Sequence, residues 1–381
     1  MATSDHSRLA TRVIAGCALT ALALLGLAGH THAESVERYT VTGADVSLYD
    51  LAGAVKLQGG ASGPVVVQVT RGGADAAKLV VLTGKIGGSS TLRVRFPADH
   101  VRYRGLAHAG NSSLEVRDDG TFGDDRPGFG GRRVTISRDG GGLEAWADLA
   151  VSVPRGQNFT LHLAVGAVTV SNVDGRLRVD TAAGPVSTTG TRGSLSIDTG
   201  SGEVISMGAQ GDVKIDTGSG AVEVTGARGG ELSIDTGSGH VSVDDARVDH
   251  LHVDTGSGAV AVRALQSPNV DLDTGSGGID IDLAGDIESL MADTGSGHVT
   301  LAVPRSLGAT FEVSSSNGGI EIEVPHESTH VERDEARGRI GDGRGRIRLE
   351  SGSGSVRIRP RTSGGTSLLM LPEPVIRSTL E

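Results

Sequence analysis

The pentapeptide Asp-Thr-Gly-Ser-Gly occurs six times without substitution, beginning at Asp198, Asp216, Asp235, Asp254, Asp273 and Asp293, at intervals of 18, 19, 19, 19 and 20 residues. A fixed short period of this kind is the signature of a solenoid, in which each repeat buries its apolar face only against its neighbours. A weaker copy, Asp-Thr-Ala-Ala-Gly, starts at Asp180, and two degenerate ones, Ser-Ser-Asn-Gly-Gly from Ser315 and Glu-Ser-Gly-Ser-Gly from Glu350, continue the series towards the C-terminus.

Apolar and polar residues alternate through Leu195-Ser196-Ile197-Asp198, and again in Ala221-Val222-Glu223-Val224 and His240-Val241-Ser242-Val243. A period of two means a strand with one face buried. Each coil therefore holds two short strands. They are joined on one side by the invariant Gly-Ser-Gly corner and on the other by a variable turn such as Gly226-Ala227-Arg228-Gly229-Gly230. The corner glycines allow backbone angles that a side chain would resist. Stacking at about 4.8 Å places Ile197, Ile215, Ile234, Val253 and Leu272 in one core column. Glycine supplies 59 of 381 residues and aromatics only 2%, which suits short Val/Ile strands between tight turns. The expected fold is all-β: a single-stranded β-solenoid (parallel β-helix or β-roll) with about 19 residues per coil, preceded by an irregular β region.

The ends of the chain differ in kind from the repeats. Arg8 and Arg12, an apolar run from Val13 to Leu27 and the small residues before Glu34 read as a secretory signal peptide over 1–33. Cys17 follows Ile14-Ala15-Gly16 as in a lipoprotein box, but most of the apolar run lies after it, so cleavage before Glu34 is the expected processing. Removal of that segment leaves no cysteine and takes the formal charge from -11 to -12. Such acidity argues against nucleic acid and anionic membrane as partners. No later segment is apolar for long enough to anchor the mature chain. Residues 34–155 carry strand-like runs at Val65–Val69, Leu79–Leu82 and Leu92–Phe96 without a strict period, and are expected to cap or begin the solenoid. Residues 156–360 are the solenoid, and 361–381 read as a flexible tail.

Val151-Ser152-Val153-Pro154, the run of Gly-x-Val-x-Val units, the repeated corners, Val303-Pro304 and the ending Gly352-Ser353-Gly354-Ser355-Val356-Arg357-Ile358 resemble the bacterial "putative adhesin" family, a domain of unknown function described as β-strand repeat proteins. The resemblance covers most of residues 40–360. It implies a β-solenoid at or outside the cell envelope and carries no catalytic residue with it.

Three chemistries compete for the repeated aspartate. Ile-Asp-Thr-Gly-Ser matches the active-site loop of aspartic proteases, where two carboxylates share a proton across facing lobes. Six copies one coil apart put the aspartates in a line instead, so protease is rejected. Calcium is the second possibility, because a column formed by Asp198, Asp216, Asp235, Asp254, Asp273 and Asp293 crowds like charges at about 1 kcal/mol per neighbouring pair even in water. Calcium-binding rolls, however, place their glycines before the aspartate. The third reading, preferred here, is that each carboxylate accepts the amides of the Gly and Ser that follow it and closes its own turn. His250 and His252 share an outward face, and His240 and His298 hold equivalent positions, too few in either place for zinc. Asp118, Asp119, Asp124 and Asp125 read as a solvated acidic loop, and Leu371-Pro372-Glu373-Pro374 as chance. Sugar-processing β-helices use aromatic platforms, whereas Leu163 to Val303 contain no Trp, Tyr or Phe.

These readings converge on a non-enzymatic exported protein of the periplasm or cell surface, serving as an adhesion, interaction or scaffold module for an envelope or surface ligand. No cofactor is expected. The alternative is a calcium-binding exported β-roll.

Overall fold

The computed structural model describes residues 36–105, 111–123 and 130–362. The signal peptide, Cys17, Asp124, Asp125 and nearly all of the tail lie outside the described residues. Among the described residues there are 33 β-strands, one short 3-10 turn at Ala76–Lys78 and no α-helix.

Every coil of the repeat contributes one strand to a 15-stranded sheet and the next to a 14-stranded sheet. Arg192–Ser201, Val213–Ser219, Arg228–Ser238 and Arg247–Thr255 stack in parallel on the first, and Val204–Met207, Val222–Thr225, Val241–Asp244 and Val260–Leu265 on the second. The register is that of the period: Ile197, Ile215, Ile234, Val253 and Leu272 are partners in succession and all are buried. Val204, Val222, Val241, Val260, Ile279 and Val299 form the facing column. Each such side chain stabilises by roughly 1.5–3 kcal/mol when fully buried. One coil offers only a few of them, which is why the stack, not the coil, is the folding unit.

The first coil comes from Asp45–Ala52 and Val55–Gly59, which pair in parallel with Gln157–Val165 and Val168–Ser171. Residue 155 thus falls inside one continuous stack. The intervening residues make an excursion that closes the stack's open end. Trp146–Val153 pairs in parallel with Val55–Gly59, and Val65–Gly72 and then Val36–Val41 extend the 14-stranded sheet beyond it through antiparallel pairs, while Val80–Ile86 with Ser89–Arg95 extends the other. A separate four-stranded sheet contains Asn111–Arg117, Gly131–Ser137, His100–Arg102 and Leu143–Glu144.

At the far end the coils do not stack in chain order. Ser289–Thr294 pairs with Gly345–Ser351 rather than with the next coil's strand, Ala309–Ser315, which lies on the outer side of Gly345–Ser351. The cause is the hairpin Glu327–Val331/Glu335–Ile340, whose second strand pairs antiparallel to Ala309–Ser315 and returns the chain to the slot left open. Gly345 fits that slot because it has no side chain: a Cβ there would stand 2.7 Å from the Ile287 carbonyl oxygen.

Candidate functional site

Strand alternation decides which pentapeptide residue faces which way. Ile197 and Thr199 point inward and are buried, so Asp198 between them points out. The same parity holds in every copy, and Asp180, Asp198, Asp216, Asp235, Asp254, Asp273, Asp293 and Glu350 are register partners in one continuous outward column.

The turn-closing role expected of these carboxylates belongs to the threonine instead. Thr255 Oγ1 accepts the Gly258 amide at 3.1 Å, Thr274 that of Gly277 at 3.1 Å and Thr294 that of Gly297 at 3.0 Å. Thr274 and Thr294 also donate to the glycine carbonyl of the preceding coil, at 2.9 and 2.8 Å to Gly258 and Gly277. Ser351 and Ser315 repeat the pattern in the degenerate copies. An inward hydroxyl can reach the corner's interior amides, and an outward carboxylate cannot. The earlier corners take a second form. Gly202 and Gly220 are left-handed at φ +152°, and the hydroxyls of Thr181, Thr199, Thr217 and Thr236 are buried without a hydrogen-bond partner.

The aspartates are therefore spare for the fold. Among the described residues no hydrogen bond or ion pair reaches the carboxylates of Asp216, Asp235, Asp254, Asp273 or Asp293, and Asp198 has only Arg178 at 3.8 Å. Partial burial, then neighbouring carboxylates, push the Asp198, Asp273 and Asp293 carboxyls above their usual range. The column lies on one sheet face, so no two aspartates oppose each other as a protease dyad requires. Among the described residues no three or more His, Cys, Asp or Glu side chains are grouped to hold a metal ion. His252 and His298 each face one carboxylate, Asp271 at 3.5 Å and Asp280 at 3.3 Å. Asp119 is not simply solvated: although burial raises its carboxyl, the Thr121 amide and hydroxyl, at 2.9 and 2.7 Å, bring it below the usual range.

Two members of the column escape a search for the pentapeptide. His162 is the register partner of Asp180, and Tyr49 that of His162. His162 Nδ1 lies 3.0 Å from Asp180 Oδ2, its ring stacks on Tyr49 at 4.4 Å, and Phe122 meets both rings edge-on. The signal was present in Tyr49-Asp50-Leu51-Ala52-Gly53 and His162-Leu163-Ala164-Val165-Gly166, which keep only the final glycine. That glycine is where the backbones pack closest: a Cβ on Gly166 would stand 1.7 Å from the Gly53 oxygen, and one on Gly184 2.0 Å from that of Gly166. Over these first steps the hairpin arm from Leu114 to Gly123 forms a roof, enclosing a cleft of about 620 Å³. Asp50, at the inward position next to Tyr49, is fully buried, and only the nearby Ala52 and Leu51 amides, in poor hydrogen-bond geometry, offset the loss of water around its carboxylate. Its burial drives its carboxyl well above the usual range. The Tyr103 hydroxyl is pushed up to about 12 by burial and by the Asp148 and Asp50 carboxylates.

Residues 151–359, more than half of the chain, match the Toastrack DUF4097 family. The chain belongs to that family. The matched stretch takes in the coil stack from Val151 onward, whereas the cleft's roof lies outside it. No curated protein matches the chain. Two solved structures are similar to it. One, titled a "putative cell adhesion protein" from Clostridium sporogenes, shares 9% identity over 86% of this chain and 99% of its own, with a TM-score of 0.21. The other, a "putative adhesin" from Bacteroides fragilis, shares 11% identity over 86% of this chain and 96% of its own, with a TM-score of 0.33.

Proposed function

We propose that this chain is a non-enzymatic module of the cell envelope, in which a rigid β-solenoid holds a line of carboxylates outward to bind a cationic region of an envelope or surface ligand. The observation that carries this reading is the separation of tasks within the pentapeptide. Thr and Gly build the corner, and the aspartate, repeated without change, makes no contact that the corner needs. Repetition at strand spacing turns weak single contacts into avidity, since every bound step raises the effective concentration for the next. Placement in the envelope rests on the signal peptide expected over residues 1–33 and the lack of cysteine beyond it. Among the described residues no helix is long and apolar enough to cross a membrane.

The test is fractionation of the native host followed by pull-down from its envelope, with the chain and with a variant carrying Asp216→Asn, Asp235→Asn, Asp254→Asn and Asp273→Asn. Salt-sensitive retention that the variant loses supports the reading. Recovery in the cytosol, or equal retention by both, refutes it.

A second reading is favoured by the same unpaired column: cations, calcium among them, bind between successive aspartates. Binding only to the folded state stabilises by RT ln(1 + [L]/Kd), about 2.7 kcal/mol at a hundredfold excess over Kd. Thermal unfolding in chelator and in millimolar calcium decides it. An unchanged melting temperature rules this reading out, and a rise abolished by Asp235→Asn with Asp254→Asn makes the chain a cation-binding roll.

A further inference from the structure

The roofed cleft differs from the open column beyond it. Its floor carries Asp180 and Asp198, its roof Glu115, and its walls Leu114 and Phe122. Phe122 is a fixed wall, buried and packed edge-on against Tyr49 at 5.8 Å and His162 at 6.4 Å. Gly123, left-handed at φ +73°, lets the roof close over the floor: a Cβ there would stand 3.1 Å from Asp180 Oδ2 and 3.3 Å from His162 Nδ1. Among the described residues the lining carries three carboxylates and one guanidinium, Arg117, whose Nη1 donates to Thr121 Oγ1 at 3.1 Å.

The chemistry of the lining selects the occupant. Carboxylates exclude an anion. The acidic side chains are not grouped to hold a bare metal ion. An organic cation with an apolar stem satisfies both halves, its charge between carboxylates and its methylenes along an aromatic face. The cavity, about 620 Å³, falls in the range that holds small ligands. We propose that this cleft binds an alkylammonium group, carried by a lysine side chain or by a free aliphatic amine, with the ammonium between Asp198 on the floor and Glu115 on the roof and the stem against Phe122. Burial and the Asp180 and Asp216 carboxylates raise the Asp198 carboxyl even with Arg178 at 3.8 Å, so a further cation beside it is favoured.

This goes beyond the envelope reading, and the two fail separately: the cleft takes one amine per chain whether or not the open column engages a ligand. The test is isothermal titration of the full chain with pentane-1,5-diamine, with a pentapeptide bearing a single lysine, and with pentan-1-ol as the uncharged control, all at fixed ionic strength. The expected result is saturable binding of one diamine per chain, none of the alcohol, and affinity about tenfold weaker in Asp198→Asn and in Phe122→Ala. Glu115→Gln, on an exposed strand of the roof, gives the same test if either of those variants unfolds. Peptide binding alongside the diamine assigns a protein side chain as the natural group, and diamine binding alone assigns a free amine. Absence of saturable binding overturns the proposal. So does binding of several equivalents that Phe122→Ala leaves unchanged, which would be diffuse attraction to the open column.

Discussion

Replacing Gly258 by alanine tests whether coil packing, and not backbone angle, fixes the pentapeptide's second glycine. A Cβ on Gly258 would stand 1.6 Å from the Gly239 carbonyl oxygen and 2.5 Å from its carbon. Gly258 is not in the left-handed region, so the substitution adds bulk without torsional strain. A carbon and an oxygen approach to about 3.2 Å at closest, so the two coils must part locally by about half that distance. Parting puts at risk the bonds that join them there, Val241 N to the Ala259 oxygen at 2.9 Å and Gly256 N to the Thr236 oxygen at 3.1 Å, together with the Thr255 contact to Gly239. At about 1 kcal/mol net per hydrogen bond, plus overpacking strain of about 1 kcal/mol, the loss is about 3–4 kcal/mol. Restriction of the unfolded chain returns about 0.5–1 kcal/mol. The expected net destabilisation is about 3 kcal/mol, a large part of a typical domain's 5–15 kcal/mol. Urea unfolding with fixed m reads it directly. Gly319→Ala is the control: nothing lies within 4 Å of its Cβ position and its φ is not left-handed, so a change within about 1 kcal/mol is expected. A loss below about 1 kcal/mol in Gly258→Ala would refute the packing argument.

Two further outcomes follow from the buried polar groups. Thr294→Val removes a hydroxyl that serves both Gly277 and Gly297 and is expected to destabilise by about 1–3 kcal/mol, whereas Thr199→Val removes a buried hydroxyl with no partner and is expected to be neutral or stabilising; equal effects in denaturant titrations would contradict the two corner forms. The raised Asp50 carboxyl makes stability fall with pH: above the ordinary value of 3.8 the unfolded chain ionises while the buried group keeps its proton, and the fall ends once the folded carboxyl ionises too. Asp50→Asn should remove that slope and be the more stable protein at pH 7, and identical pH profiles for the two chains would dismiss the assignment.

The repeat was legible because the two constraints behind it are local. Alternation gave the column from Ile197 to Leu272, and the uniform glycines marked a corner where one coil's backbone rests on the next. The role of Asp198 was misassigned although parity contains the answer, since a residue following inward Ile197 faces out, and in the later copies it is the inward Thr255, Thr274 and Thr294 that close the corner. Tyr49 and His162 were missed because their copies keep only the glycine where the backbones pack closest. The exchange of order at the far end was not legible. Glu350 and Ser315 both carry acceptable corner sequences, and the long-range hairpin Glu327–Val331/Glu335–Ile340 decides which strand lies next to Ser289–Thr294. The cleft joins Glu115 and Phe122 of the aperiodic excursion to Asp180 of the array, a meeting that no local pattern encodes.

The central claim is that the aspartates contribute nothing to the fold and are held out for binding. Its most direct test is the unfolding free energy, at pH 7 and moderate salt, of the chain with Asp216, Asp235 and Asp254 all replaced by alanine, which removes both the charge and the acceptor oxygen. Neighbouring charges at strand spacing repel by up to about 1 kcal/mol per pair before screening. Stability equal to the parent's, or higher by up to about 2 kcal/mol, is the predicted result. A loss of about 1 kcal/mol per substitution would mean that the carboxylates close their own turns, and would contradict the claim.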